Sequence, residues 1–139
     1  GGGPLIADLI TGQFDFAFTP SSGARPQAEA GRARILAVAT ATPSPLLPGV
    51  PPVAATPGLA GFDAQDWSTL MAPRGLPAPI LAILHRAAAT ALAEAEVIQA
   101  LAQRGMEATP SSPEECAAFI RSETAKWAPI VRASGARPD

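Results

Sequence analysis

Cysteine occurs once in these 139 residues, histidine once and tyrosine not at all. A single cysteine, Cys116, excludes an intrachain disulfide and any metal site built from clustered thiolates. A single histidine, His85, leaves little for acid–base work, and no Gly-x-Ser-x-Gly elbow accompanies it. Aromatics make up only 5% of the chain, and alanine supplies much of the 47% apolar fraction, so burial per residue is modest. Ten Lys and Arg stand against twelve Asp and Glu, for a net charge of −2, and the basic residues are scattered. Nothing in that distribution steers the chain to nucleic acid or to an anionic membrane. No apolar run approaches the ~20 residues of a membrane-spanning helix. The chain opens Gly1-Gly2-Gly3 without Met or a secretory leader. We therefore expect an internal start, with any signal peptide outside this sequence.

What is present centres on residues 61–105. Phe62 to Ala72 reads as a strand, Pro73-Arg74-Gly75-Leu76-Pro77 as a break, and Ala78 onward as the longest helical pattern. Ile80, Leu84, Ala87, Ala91, Ala95, Ile98 and Leu101 recur in steps of three and four, one face of a helix. Gly105 follows where a helix takes a left-handed residue. A strand feeding a long amphipathic helix is a unit of a layered α/β fold.

Ahead of it, Pro4 and Gly12 bracket a short helix with Leu5, Ile6, Leu9 and Ile10 on its buried side. The glycines before Pro4, beside a helix start, suit a carboxylate or phosphate. On the residues alone a frayed end competes with that reading. Phe14, Phe16 and Phe18 alternate as in a strand. A turn is predicted at Pro20–Gly23 and a helix over Ala24–Ala30, ended by Gly31. Ile35–Thr40 reads as a strand buried on both faces. Short connections between helix and strand argue for a parallel sheet. From Ala41 to Gly61 six prolines exclude helix and sheet, and the apolar residues between them suggest an extended arm lying on a sheet. Met106–Ala108 could form a further short strand. Ser112, Pro113 and Glu115 spell a capping box at the start of a last helix. Pro129 is expected to kink or end that helix, and Gly135 to close it.

Little of this is catalytic chemistry. His85 borders the apolar stripe and reads as half-buried or surface. Cys116 reads as a small buried hydrophobe, although a helix start would stabilise a thiolate there. Asp63 and Asp66 lack partners for a metal. Trp67 reads as core ahead of ligand platform, by a narrower margin than Trp127, and Ser68 and Thr69 beside it could donate hydrogen bonds. Arg34 and Arg74 could grip a carboxylate, with solvated surface as the plainer alternative. No cofactor or metal is expected, and an enzyme is not.

The assembled pieces resemble the C-terminal half of the Bug-type extracytoplasmic solute receptors, the binding components of tripartite tricarboxylate transporters. The matching stretches are the Gly-Gly loop ahead of Leu9-Ile10-Thr11-Gly12-Gln13-Phe14-Asp15, then Ala30-Gly31-Arg32-Ala33-Arg34-Ile35-Leu36-Ala37-Val38, then Leu47-Pro48-Gly49-Val50-Pro51. Trp67-Ser68-Thr69-Leu70-Met71-Ala72-Pro73 and Ala117 through Val131 complete them. Their order and spacing carry the resemblance more than any one motif.

The resemblance implies an α/β, type II periplasmic-binding-protein (Venus-flytrap) fold, present here as parts of two lobes of parallel sheet with flanking helices. Residues 1–40 would belong to the second lobe, 41–61 would be a proline-rich crossover arm, and 62–139 would belong to the first lobe. It implies a periplasmic location, a small carboxylate ligand and membrane permease subunits as partners, with no nucleic acid. Gly1, Gly2 and Gly3 would form the anion-cradling loop, with Thr19, Trp67 and Ser68 as further ligand-binding positions. Thr19 stands where the family often has Asp, and Thr69 where Gly is usual. Pro52 and Ala55 replace Thr and Glu. Glu94-Ala95 replaces an Asp-Pro break, so the long helix is expected to run through. With one side of a cleft, the isolated chain is expected to bind carboxylates weakly or not at all. The competing reading is a non-binding interaction module that self-associates through exposed sheet edges.

Overall fold

A computed structural model describes residues 2–135 of the chain. They form five helices: α1 (Gly2–Ile10), α2 (Ser21–Glu29), α3 (Ala78–Ala93), α4 (Ala95–Gln103) and α5 (Pro113–Ser134), with a 3-10 turn at Val53–Ala55. The chain divides into two compact units, Gly1–Ser68 with Ala95–Ala108, and Thr69–Glu94 with Thr109–Asp139. The division does not follow the proline content at residues 41 and 62; instead the helical stretch after Ala78 is shared between the units.

In the first unit, α1 starts two residues ahead of Pro4, so Gly2 and Gly3 lie inside its first turn rather than in a loop. Gly12 follows at φ 77, the left-handed position that only glycine takes without strain. The expected turn at Pro20–Gly23 is instead the start of α2. Pro20 is its N-cap, and the Pro20 carbonyl accepts from the N–H groups of Gly23 and Ala24. α1 and α2 pack closely at Gly23, where a Cβ would come 2.5 Å from Ile6 Cδ1. α4 ends against the start of α2, with Ser21 Oγ donating to the Gly105 carbonyl at 3.5 Å.

The expected parallel sheet does not form among the described residues. Its only trace is an isolated parallel bridge between Val38 and Pro52. The Val38 N–H donates to the Pro51 carbonyl, and the Val53 N–H to the Val38 carbonyl, both at 2.9 Å. The Ala64 N–H reaches the Ala39 carbonyl at 2.8 Å. The strand-like segments 14–18, 35–40, 62–72 and 106–108 otherwise run without ladder partners. A strand exists only where a second chain segment takes its N–H and C=O groups. Alternation shows which side chains share a face, but not that a partner is present. The consequence is exposure: Phe16 is 71%, Leu36 60% and Leu70 83% exposed. Of residues 35–40, expected to be buried on both faces, only Val38 is, at 7%. The proline arm does lie against that segment, through the Val38–Pro52 bridge, and contains one 3-10 turn.

The long helix does not run through. Glu94 adopts φ −70, ψ 132, outside helical space, and its N–H closes back on the Ala91 carbonyl. No proline imposes this break, and it coincides with the boundary between the two units. The apolar stripe stays largely uncovered, with Ile80, Leu84 and Ile98 at 45%, 48% and 45% exposure. Gly105 takes φ 75 after α4, as its position predicts.

In the second unit, α5 begins as its sequence dictates. Ser112 Oγ accepts from the Glu115 N–H at 3.1 Å, and Glu115 Oε2 accepts from the Ser112 N–H at 2.8 Å, with Pro113 in the first turn. These bonds from the Ser112 backbone, then from its side chain, hold the Glu115 carboxyl below the usual carboxylate range. The sign follows: the cap's contribution is present above the ordinary carboxylate pKa and is lost as pH falls through the lowered one. We expect amides 112–116 to fray below about pH 4, a dependence that Glu115→Gln removes. Ser112→Ala should cost about 1 kcal/mol at neutral pH in urea unfolding.

α5 passes through Pro129 without ending. Proline removes one helical bond, to the Ala125 carbonyl, and the turns on either side outweigh that loss. Gly135 closes the helix at φ 69. His85 Nε2 lies 3.0 Å from the Ser111 carbonyl, so that nitrogen must carry the proton, and the ring ties α3 to the residues before α5. That is a structural role. Cys116 is a free, half-buried thiol on α5.

Candidate functional site

The candidate site lies in the first unit, at the start of α1 and the segment that leads into α2. Helix geometry leaves the first N–H groups of α1 without intrahelical acceptors and gives that end partial positive charge. Gly3 adds close access, since a Cβ there would meet nothing within 4 Å. Gly1, named with Gly2 and Gly3 on sequence grounds, lies outside the described residues.

Thr19 sits two residues ahead of α2, half-buried, and its Oγ1 is shielded from solvent with no hydrogen-bond partner. A Cβ on Gly23 would be 3.4 Å from that hydroxyl and in contact with Ile6, so α1, α2 and Thr19 meet around Gly23. Phe18, the residue before, stacks on Phe62 with ring centroids 6.1 Å apart and planes at 22°. The residue after Phe62 is Asp63, whose Oδ1 is likewise shielded and without a partner. Two covered, unsatisfied oxygens thus stand one residue along from either side of a single aromatic contact. Such groups are rare in folded proteins, each costing about 1–3 kcal/mol while unpaired.

Of the sequence-predicted positions, Thr19 lies beside Gly23 and the Ile6 side chain of α1, and Gly3 stands in the first turn of that same helix. Trp67, 43% exposed, and Ser68, exposed, stand on the surface of the unit rather than in that packing. Asp63 was considered only as a metal ligand in sequence. Its nearest sequence signal is Phe62, whose partner, Phe18, is too distant along the chain to identify from periodicity.

Two hollows lie in the first unit. A small polar one of about 140 Å³ is lined by Thr40, Thr42, Ser44, Gln65 and Glu107, with Ser44 Oγ donating to Glu107 Oε1 at 2.8 Å. A larger groove of about 510 Å³ is lined by residues of 14–18 and 32–37 together with Leu9 and Val53. Among the described residues no group of three or more His, Cys, Asp or Glu could hold a metal ion, and no helix is long and apolar enough to cross a membrane.

The chain is 32% identical over 131 residues to the UPF0065 protein of the tcbD-tcbE intergenic region of Pseudomonas sp. strain P51, covering 94% of this chain and 39% of that protein. It is 31% identical over 137 residues to protein BugT of Bordetella pertussis, covering 99% of this chain and 42% of BugT. It thus spans about two fifths of those relatives. Among solved structures, R. palustris Rpa4515 with adipate superposes with a TM-score of 0.80 at 30% identity, over 97% of this chain and 45% of that one. The sequence profile of the tripartite tricarboxylate transporter family receptor, TctC, matches residues 1–136. The chain belongs to the TctC family of tripartite tricarboxylate transporter receptors.

Proposed function

We propose that this chain is part of a periplasmic solute-binding receptor that delivers a small carboxylate to the membrane permease subunits of a tripartite tricarboxylate transporter. In this reading residues 1–40 form the end of the second lobe, residues 41–61 cross over, and residues 62–139 belong to the first lobe. The observation that carries it is the likeness to Rpa4515, whose structure holds the dicarboxylate adipate. The site chemistry agrees with it. The start of α1 offers backbone N–H groups and partial positive charge to a carboxylate, and Thr19 offers a hydroxyl with no other partner. Binding of this kind needs neither cofactor nor metal, and no step of covalent chemistry.

One wall of a cleft holds a ligand weakly, because closure and burial supply most of the affinity. The expected dissociation constant for adipate is therefore in the millimolar range, about −4 kcal/mol. Amide NMR during an adipate titration should move the resonances of Gly2, Gly3 and Thr19, and Thr19→Val should weaken the effect several-fold. The neutral diamide of adipate should leave them in place. Equal shifts with acid and diamide, or none at tens of millimolar acid, would overturn the proposal.

A further inference from the structure

The carboxylate reading uses the start of α1 and Thr19, and it leaves Asp63 without a role. Asp63 is half-buried, and its Oδ1 is shielded from solvent with no hydrogen-bond partner. The backbone is held on both sides of it. The Phe62 N–H donates to the Leu59 carbonyl at 3.0 Å, and the Ala64 N–H to the Ala39 carbonyl at 2.8 Å. Among the described residues no lysine, arginine or histidine forms an ion pair with Asp63. A carboxylate oxygen only accepts, so a covered one calls for an N–H or O–H donor, and a cationic donor makes the stronger bond. Thr19 and Asp63 each follow one ring of the Phe18–Phe62 stack, whose centroids are 6.1 Å apart. Their needs are unlike: the Thr19 hydroxyl can donate, and the Asp63 carboxylate cannot. A plain dicarboxylate brings acceptors alone, and it sets like charge beside Asp63.

We propose that Asp63 is a specificity-determining residue of the carboxylate site, and that the ligand it selects carries an ammonium group on the carbon next to a carboxyl group. In this arrangement the ligand carboxyl takes the α1 N–H groups and the Thr19 hydroxyl, while the ammonium donates to Asp63 Oδ1. The assignment rests on the carboxylate reading above and narrows it from carboxylates in general to amino dicarboxylic acids. Because the backbone around Asp63 is already fixed by its neighbours' hydrogen bonds, the acceptor is in place before the ligand arrives, which limits the ordering cost of binding.

The test compares adipate, 2-aminoadipate and N-acetyl-2-aminoadipate by amide NMR titration of this chain. The free amine should bind roughly tenfold more tightly than adipate, the worth of one charge-assisted hydrogen bond. It should also move the Asp63 and Ala64 amides, which adipate leaves in place. Acetylation removes the cation and should abolish that advantage. Asp63→Asn should level the affinities for 2-aminoadipate and adipate, with adipate bound at least as well as before, and that retained binding shows that the variant is folded. Asp66→Asn, three residues on and exposed, should preserve the preference. Should Asp63→Asn fail to fold, the acetylated ligand decides the question on the unaltered chain. Equal affinities for adipate and 2-aminoadipate, with Gly2, Gly3 and Thr19 still responding, overturn this assignment and leave the carboxylate reading standing. A preference lost equally in Asp66→Asn overturns it as well, because general charge would then be the cause. No response to any of the three acids overturns the carboxylate reading and this assignment with it.

Discussion

Gly105→Ala should be among the most damaging single substitutions in the first unit. Gly105 holds φ 75, a left-handed conformation that costs a residue with a Cβ about 1–2 kcal/mol. The space is occupied as well. An added Cβ would meet the Ser22 backbone nitrogen at 2.8 Å and collide with Ser21 Oγ. Ser21 could rotate away, but the Ser22 nitrogen belongs to the first turn of α2 and cannot move without disturbing that helix. Overpacking of this kind adds roughly 1–3 kcal/mol. The expected outcome is a fall in the urea midpoint of several kilocalories' worth, with α2 and α4 amides exchanging first. Gly31→Ala is the control. It has a similar φ of 68 with nothing within 4 Å of the new Cβ, so it should show the backbone strain alone. Equal losses at the two glycines would mean that the close approach of α4 to α2 contributes nothing.

Glu123→Ala should be the corresponding lesion in the second unit. Glu123 is 7% exposed on α5, and its carboxylate accepts from Trp127 Nε1 at 2.9 Å and pairs with Lys126 Nζ at 2.6 Å. Lys126 also lies 5.4 Å from the Trp127 ring centroid, so three residues within two turns support one another. Removing the carboxylate strands the indole N–H, which costs about 1–3 kcal/mol when buried. The lysine end matters less, because its side chain is 31% exposed and water can replace the partner. Glu123→Gln should retain most of the stability, and Lys126→Ala should cost under about 1 kcal/mol. If chemical denaturation shows Lys126→Ala to be as costly as Glu123→Ala, the ion pair rather than the indole bond is the main contributor.

Local features were legible in the sequence wherever a residue's own chemistry decides the outcome. The capping box at Ser112–Glu115 and the left-handed glycines at 12, 31, 105 and 135 need only a few neighbouring residues, and all appear where their sequence puts them. The helix break was not legible. Glu94-Ala95 has good helical propensity, yet Glu94 leaves helical space at the point where the stretch passes from one unit to the other. Of the two outcomes expected at Pro129, a kink or an end, the end does not occur: α5 continues through it to Ser134. The strands failed for a different reason. Phe14, Phe16 and Phe18 alternate as a strand should, yet pairing is a property of two segments, and sequence periodicity reports on only one. Within the candidate site, the glycines ahead of Pro4 were singled out from the helix start that follows them, and Thr19 through the family likeness. Asp63 was passed over because its significance depends on the Phe18–Phe62 contact, forty-odd residues apart along the chain.

The break at Glu94 also sets an order of events during synthesis. The first unit lacks Ala95–Ala108 until the first part of the second has already been made, and the second unit still awaits Thr109 onward. Neither body can therefore mature as the ribosome passes its boundary, as consecutive domains do. Each must hold an incomplete hydrophobic surface while part of the other emerges, which lengthens the interval in which a chaperone or a protease can capture the nascent chain.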